Sequence, residues 1–529
     1  MFRISYLAEK CELALDDSPT VEEVVCRVDE VPEGTKKEVE LCGRKILIIN
    51  DRGLLSAING LCTVSNGRLR CPLHGACINL SSGDIEDFPA FDSVHSYPIR
   101  IVDGSIVIKT TKKRLGSDRR TRHSFIEETN EEKPIIIVGG GPTGQSLADN
   151  LRLAGCKTPI IILTSESTKP YDRVLLSKAM HMDAVRLRTD EYYAENKIDV
   201  QINTKVVSLD SATHTIRLDN GRRMEYSKLV LATGGKARKL PNPGGGLKGV
   251  YSLRTHSDAK SIWKQCEGKD VVCIGASFIG MEAAASVLGR ASSVTVICST
   301  PEPLAALGGD IGGSFRKVLL LTWFAEKGIV IRPSSRVSEI IGDANGRVSS
   351  VLLGDGSRLP AGVVIAGIGI DPGTQWMASG GVRLDSRGFV EVNDRFETNL
   401  PDVLAIGDVS APPLDFWSLA HHNIQHFQTA QKHGQLAAWS MMGRSPPGRV
   451  VPLFWTAFFH ERGCIFSGCA EGSDSTIVHG DVDGFNYTKY WIKSDRVVAV
   501  AVNGGKPGAV QFSALCQQGI RISREDVEK

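Results

Sequence analysis

Between Thr20 and Thr110, apolar and polar residues alternate over short runs, such as Glu38 to Leu41, Lys45 to Ile49, Ile99 to Val102 and Ser105 to Lys109. Gly, Asn and Asp break these runs, and a period of two residues puts one face of each against a core. The segment therefore predicts a small all-β domain over 20–110. From Pro134 the pattern changes. Unbroken β-branched runs, Ile135 to Val138 and Val271 to Ile274, each lead through a glycine-rich turn into an alanine-rich helical pattern. Strands alternating with helices predict parallel α/β sheets. After the linker-like Ser445-Pro446-Pro447-Gly448, strands at Tyr487 to Ile492 and Val497 to Val502 and a terminal helix predict a small α+β domain over 448–529. Residues 111–133 are charged, aromatic-poor and aperiodic, and read as a solvated linker in preference to a basic binding patch.

The two turns carry the chemistry. Gly139-Gly140-Gly141-Pro142-Thr143-Gly144 and Gly275-Ala276-Ser277-Phe278-Ile279-Gly280 are GxGxxG-like fingerprints in strand–turn–helix context. Such a turn lets backbone N–H groups approach a pyrophosphate, and the helix N-terminus adds partial positive charge. Two in one chain point to two dinucleotides, a flavin and a nicotinamide, and so to electron transfer.

The bulk numbers narrow this further. At 529 residues the chain exceeds one core and divides into roughly three or four domains. Lys+Arg of 62 against Asp+Glu of 60 leaves +2, which indicates no nucleic-acid partner. No apolar run approaches the ~18 residues that span a bilayer, and Met1-Phe2-Arg3-Ile4 opens neither a signal core nor a transit pattern. The 13 cysteines are scattered and odd in number, as in a reducing compartment. A cytoplasmic protein is expected. Cys464 and Cys469 have a CxxxxC spacing but fall on a strand-like segment, and read as structural.

The first turn gains weight downstream. Glu166 follows the second strand, Pro159 to Leu163, at the distance where an acid accepts adenosine ribose hydroxyls. Then come Pro170-Tyr171-Asp172-Arg173-Val174-Leu175-Leu176-Ser177-Lys178, Ala232-Thr233-Gly234 and Ala405-Ile406-Gly407-Asp408. Together these resemble the pyridine-nucleotide-dependent flavoprotein reductases of the ferredoxin-reductase and apoptosis-inducing-factor type, with Val174 where that family has proline. The resemblance implies FAD bound by Gly139, Gly141, Gly144, Glu166, Arg173, Lys178, Ala232, Thr233, Gly234, Gly407 and Asp408. It further implies that His426 and Trp455 close over the flavin ring and that Arg173 and Lys178 lie along it. A cation at the flavin edge stabilises the reduced ring.

For the second turn, the resemblance implies NAD(P)H held by Gly275, Ser277, Phe278, Gly280 and Glu282. Phe278 would shield the nicotinamide and Glu282 hold its carboxamide, with Lys178 and Glu282 as the catalytic residues. Packing between helix and sheet is the other reading of Phe278. The next strand, Ser293 to Ile297, ends in Cys298-Ser299-Thr300 without a carboxylate, so neither NADH nor NADPH is selected. The expected parts are FAD binding over 134–254 and 373–445 and NAD(P) binding over 255–372.

The N-terminal β domain has Cys71-Pro72-Leu73-His74-Gly75-Ala76-Cys77 followed by Gly83-Asp84-Ile85-Glu86-Asp87-Phe88-Pro89. This is similar to the second ligand loop of a Rieske domain, and the whole chain from about Val21 resembles the apoptosis-inducing-factor-like subfamily with an N-terminal Rieske domain. Cys71 and His74 would ligate a [2Fe-2S] cluster. The first loop retains Cys62-Thr63 but lacks the family's histidine, and no histidine lies between Met1 and Cys71. Cys62 is the remaining candidate ligand, with His95 and Cys77 as substitutes. A native cluster, an empty β domain and a variant that lost part of this loop are all consistent with the residues.

The expected activity is FAD-dependent oxidation of NAD(P)H, with single electrons passed to an iron–sulfur or other acceptor. Partners are then NAD(P)H and that acceptor. The alternative is a redox-sensing flavoprotein that acts through nucleotide-dependent partner binding, apoptosis-linked and mitochondrial by the resemblance. The disulfide-reductase branch is disfavoured because no thiol pair accompanies the flavin motifs.

Overall fold

The computed structural model describes residues 18–59, 63–65, 67–71, 74–122, 133–304, 322–446, 448–459, 461–482 and 484–529. The chain forms two compact units, 1–124 and 125–529.

The first unit is all β among its described residues apart from one short helix and a 3-10 turn. One sheet joins Thr20–Arg27, Ser105–Thr111 and Ile99–Val102, and a second joins Lys36–Leu41, Arg44–Asp51, Leu54–Ile58 and Ser96–Tyr97. The alternation drives the fold: Val31, Leu41, Ile46, Ile48, Ile106 and Ile108 face a common core. A third sheet, Thr63–Ser65, Arg68–Arg70, Cys77–Asn79 and Ile85–Asp87, carries the Cys71 turn at a hairpin end.

Where the composition reads a linker from residue 111, the described part of that stretch continues this unit. Thr111 ends a strand, Lys112–Gly116 is a helix, and Arg120 exchanges backbone hydrogen bonds with Ser93. The basic residues responsible for the linker signature are used internally. Arg120 donates to the Ser82 carbonyl at 2.9 Å and pairs with Asp84 at 2.5 Å, and buried Arg114 donates to the Ser96 carbonyl at 3.1 Å.

The second unit contains two five-stranded parallel sheets. The first has the order Ile198–Gln201, Ile160–Leu163, Ile135–Val138, Lys228–Leu231, Val403–Ala405. The second has the order Val250–Ser252, Val363–Ala366, Asp270–Ile274, Ser293–Ile297, Ile329–Arg332. In each, the strand before a glycine turn is central, with every residue of Ile135–Val138 buried. Helix Phe427–Met441 crosses helix Pro142–Leu153 at Gly434, where a Cβ would meet the Thr143 carbonyl oxygen at 2.6 Å. An antiparallel sheet, Leu453–Phe458, Arg462–Gly468, Arg496–Val502, Asn486–Lys493 and Ser475–Asp481, with helix Gly508–Gln517 against it, completes the unit.

Candidate active site

The first glycine turn is shaped for close approach. Gly139 has φ +130° and donates its N–H to the Leu163 carbonyl at 2.8 Å. A side chain at Gly139 would strike the Ala232 carbonyl, and one at Gly144 the Gly139 carbonyl. A Cβ on Gly141 would meet only Arg173 Nε, at 4.0 Å, so the space above it is open. Gly141 caps helix Pro142–Leu153, and Pro142 takes the first turn, where its missing N–H costs nothing. Open space over a helix N-terminus is where a pyrophosphate fits.

Around this turn the structure gathers Glu166, Arg173, Arg254 and Asp408. Glu166 is paired with Arg173 and accepts the Tyr171 hydroxyl at 2.8 Å. A carboxylate has about four lone-pair sites, so acceptors remain for ribose hydroxyls. Arg173 Nη1 donates to the Arg254 carbonyl at 3.0 Å. Burial works against the Arg173 charge, but Glu166, Tyr171 and Asp408 raise its pKa. Arg254, which carries no motif, passes over Gly234, where a Cβ would lie 2.7 Å from its Nη2. Asp408 Oδ1 and Thr233 Oγ1 are sealed from solvent without a partner. Burial raises the Asp408 pKa, opposed by Arg254 and Arg173. Orphaned polar atoms on the two segments that pack against the first glycine turn fit a bound FAD, with Asp408 and Thr233 as candidate hydrogen-bonding partners.

Two histidines support this wall. His433 Nδ1 accepts the Gly407 N–H at 3.1 Å, and burial presses its pKa to about 3. His426 Nε2 accepts the Trp455 N–H at 3.4 Å, which leaves its buried Nδ1 as the protonated nitrogen with no protein partner. Burial, then Lys178, lowers its pKa to about 3. Both rings are neutral near pH 7.

The second glycine turn repeats the geometry. Gly275 has φ +103°, Ser277 caps helix Phe278–Val287, and a side chain at Gly280 would strike the Gly275 carbonyl. Ser277 makes no capping bond through its side chain, which stays available at the turn. The turn fits a second dinucleotide phosphate. Phe278 is half-buried with its ring centroid 4.9 Å from that of Phe454, so packing accounts for one side of it.

Three segments meet at Glu282. Lys178 Nζ lies 2.7 Å from its Oε1, Thr456 Oγ1 donates to the same oxygen at 2.7 Å, and Ser177 Oγ donates to Oε2 at 2.5 Å. Lys178 Nζ also stands over the Trp455 ring at 5.3 Å. Glu282 comes from helix Phe278–Val287, Ser177 and Lys178 from the short helix Leu175–Lys178, and Trp455 and Thr456 from the antiparallel sheet. The catalytic pair read from the sequence is thus one ion pair. Ser177 lies within the quoted motif, but neither it nor Thr456 nor Arg254 was singled out for a role from the sequence, because their contacts at this site are with distant chain segments.

The iron–sulfur ligands are only partly assembled. Cys71 donates its N–H to the Ala76 carbonyl at 2.8 Å and accepts the Gly75 N–H at 2.9 Å, a tight turn that also carries His74. Cys62 lies outside the described residues. Neither substitute fits. Cys77 is buried in strand Cys77–Asn79, and burial raises its thiol pKa. His95 is held to about 4 by burial, then by Arg114 and Arg120, and the same positive charges that oppose a proton on the ring oppose an iron beside it. A Rieske cluster takes two cysteines on one iron and two histidines on the other. Among the described residues one Cys–His pair is present, and the first loop has no histidine in its sequence, so the described residues supply one of the two ligand pairs.

Residues 133–434, more than half of the chain, match the family described as Pyridine nucleotide-disulphide oxidoreductase, and residues 22–98 match the Rieske [2Fe-2S] domain. The chain is 33% identical to apoptosis-inducing factor 3 of Homo sapiens over 96% of its own length and 86% of that protein's. It is 30% identical to the biphenyl dioxygenase system ferredoxin–NAD(+) reductase component of Paraburkholderia xenovorans, over 66% of this chain and 84% of that one. The crystal structure of the covalent putidaredoxin reductase–putidaredoxin complex matches with a TM-score of 0.70 at 27% identity, covering 75% of this chain and 95% of that chain.

Proposed function

The chain belongs to the pyridine nucleotide-disulphide oxidoreductase family, with a Rieske domain ahead of it, and on that premise we propose how its residues divide the work. It is an NAD(P)H-dependent flavin oxidoreductase that passes electrons to an iron–sulfur acceptor. When bound, FAD accepts hydride from NAD(P)H and can release the electrons singly.

The first glycine turn binds the FAD pyrophosphate, Glu166 accepts the adenosine ribose, and Asp408 and Thr233 take hydrogen bonds deeper in the cleft. Lys178 places a positive charge at the flavin edge, where reduction adds negative charge. Glu282 holds Lys178 there, with Ser177 and Thr456 filling the rest of its carboxylate. Phe278 stands between the two sites and excludes water from the nicotinamide. The Lys178–Glu282 ion pair carries this reading, because it links the flavin loop directly to the nicotinamide helix.

The acceptor is a ferredoxin-class protein or this chain's own Rieske domain. The Rieske match supports a [2Fe-2S] cluster, for which Cys71 and His74 supply one ligand pair. No helix among the described residues is long and apolar enough to cross a membrane. The free cysteines suit a reducing compartment, and we place the protein in the cytoplasm on that ground. Steady-state oxidation of NADH and NADPH with ferricyanide tests the proposal: turnover that depends on Lys178 supports it, and negligible turnover by flavin-loaded protein contradicts it.

A further inference from the structure

Cys469 was unabsorbed by the flavin chemistry, and its surroundings suit another role. It follows strand Arg462–Gly468 and is buried, with its N–H donated to the Val498 carbonyl at 3.0 Å. Burial raises the pKa of its thiol, and the Glu471 backbone N–H opposes that shift. His422 comes from a different segment, after strand Ser410–Ala411, and is anchored by its own N–H on the Pro412 carbonyl at 2.9 Å. Its Nδ1 lies 3.9 Å from Glu471 Oε2. The imidazole, thiol and carboxylate donor atoms all stand within 4.8 Å of one another.

We propose that His422, Cys469 and Glu471 form a binding site for a zinc-class divalent cation, separate from the flavin, nicotinamide and iron–sulfur sites. The donor chemistry selects the ion. Sulfur and imidazole disfavour magnesium and calcium, which prefer oxygen, and suit a borderline-soft cation. Zinc bonds of about 2.0–2.3 Å put tetrahedral donors about 3.3–3.8 Å apart, so the three groups close by roughly 1 Å on binding. Glu471 is exposed and can supply most of that movement. Thiolate and carboxylate together balance the ion's charge, and the thiol proton leaves as the metal enters. Three protein donors leave a fourth position for water.

The location gives the site a consequence. Asn423, next to His422, donates to the carbonyls of Asp408 and Ser410 at 2.8 Å each, and His426 begins the flavin-facing wall. A cation at His422 and Cys469 would clamp this segment to the antiparallel sheet, so binding should stabilise the FAD-loaded protein against heat.

Cobalt is the probe. Titration of the FAD-loaded full chain with Co2+ is expected to produce a tetrahedral d–d band to the red of the flavin and a thiolate-to-cobalt charge-transfer band, both displaced by Zn2+. Cys469→Ser should lose the charge-transfer band, and Glu471→Gln should weaken binding by more than about tenfold. Cys71→Ser should leave both bands in place. Absence of the charge-transfer band in the unmodified protein would overturn the proposal. So would its survival in Cys469→Ser with loss in Cys71→Ser. Should Cys469→Ser fail to fold, exposed Glu471→Gln decides alone, since unchanged affinity there removes the carboxylate and with it the site.

Discussion

Lys178 and Glu282 lie 104 positions apart in sequence, yet their charged groups meet at 2.7 Å with side chains only 14% and 6% exposed. A buried pair of this kind is poor evidence of added stability, because desolvation offsets the attraction. Removing one partner, however, strands the other charge.

Lys178→Met should therefore cost about 3 kcal/mol or more in stability and slow flavin reduction by about a hundredfold. Adding Glu282→Gln should recover stability without recovering rate. Chemical denaturation and stopped-flow reduction by NAD(P)H separate the two effects. Recovery of rate in the double variant would show that Lys178 acts only as a structural counter-ion.

Two glycines of one turn should fail differently. Gly141→Val places its side chain in open space that only FAD would fill, so the protein should fold and purify without flavin. Gly139→Val drives its side chain into the Ala232 carbonyl at a φ of +130°, so it should not fold. Flavin absorbance and thermal melting distinguish these outcomes, and a Gly141→Val protein with full flavin content would remove the phosphate assignment.

Acid should weaken the flavin wall through His433. Its folded pKa, about 3, lies below the ordinary value of 6.5, so the unfolded chain takes up the proton first. Stability is fully present above about pH 6.5 and falls as pH drops toward 3, by up to about 1.4 kcal/mol per pH unit for this group. Protonation would also set an N–H against the Gly407 N–H and so disturb the turn that presents Asp408. Flavin release on acidification should shift to lower pH in His433→Gln, and an unchanged release curve would exclude this residue.

Iron and acid-labile sulfide, measured on protein purified without oxygen, should fall short of one [2Fe-2S] cluster per chain, and Cys71→Ala should lower them further. A full, air-stable complement would mean that the histidine missing from the first loop is replaced by a donor other than Cys77 or His95.

Much of the site was legible because its constraints are local. A phosphate at a helix N-terminus favours glycines at fixed spacing after a strand; the first turn has all three and the second has two, with Ser277 at the middle position. Lys178 and Asp408 were reached through short matched motifs. Arg254 was not, because nothing beside Leu253 and Thr255 signals that its guanidinium crosses Gly234. His433 lies in a helical run that reads as core, and its contact with Gly407 depends on how that helix packs. Residues 111–122 were misread for the converse reason: Arg114 and Arg120 carry a solvent-like composition, but the structure pairs them with Ser96, Ser82 and Asp84. Composition cannot register a partner that only tertiary folding supplies.

The central claim is that NAD(P)H reduces a flavin held at the first glycine turn. Anaerobic titration of the purified protein with NADH and NADPH, followed in the visible spectrum, tests it most directly. The account predicts stoichiometric bleaching of the flavin band by at least one of the two, with recovery on adding an oxidised ferredoxin. A protein that carries no flavin, or whose flavin band stays unchanged in excess of both nucleotides, would contradict it.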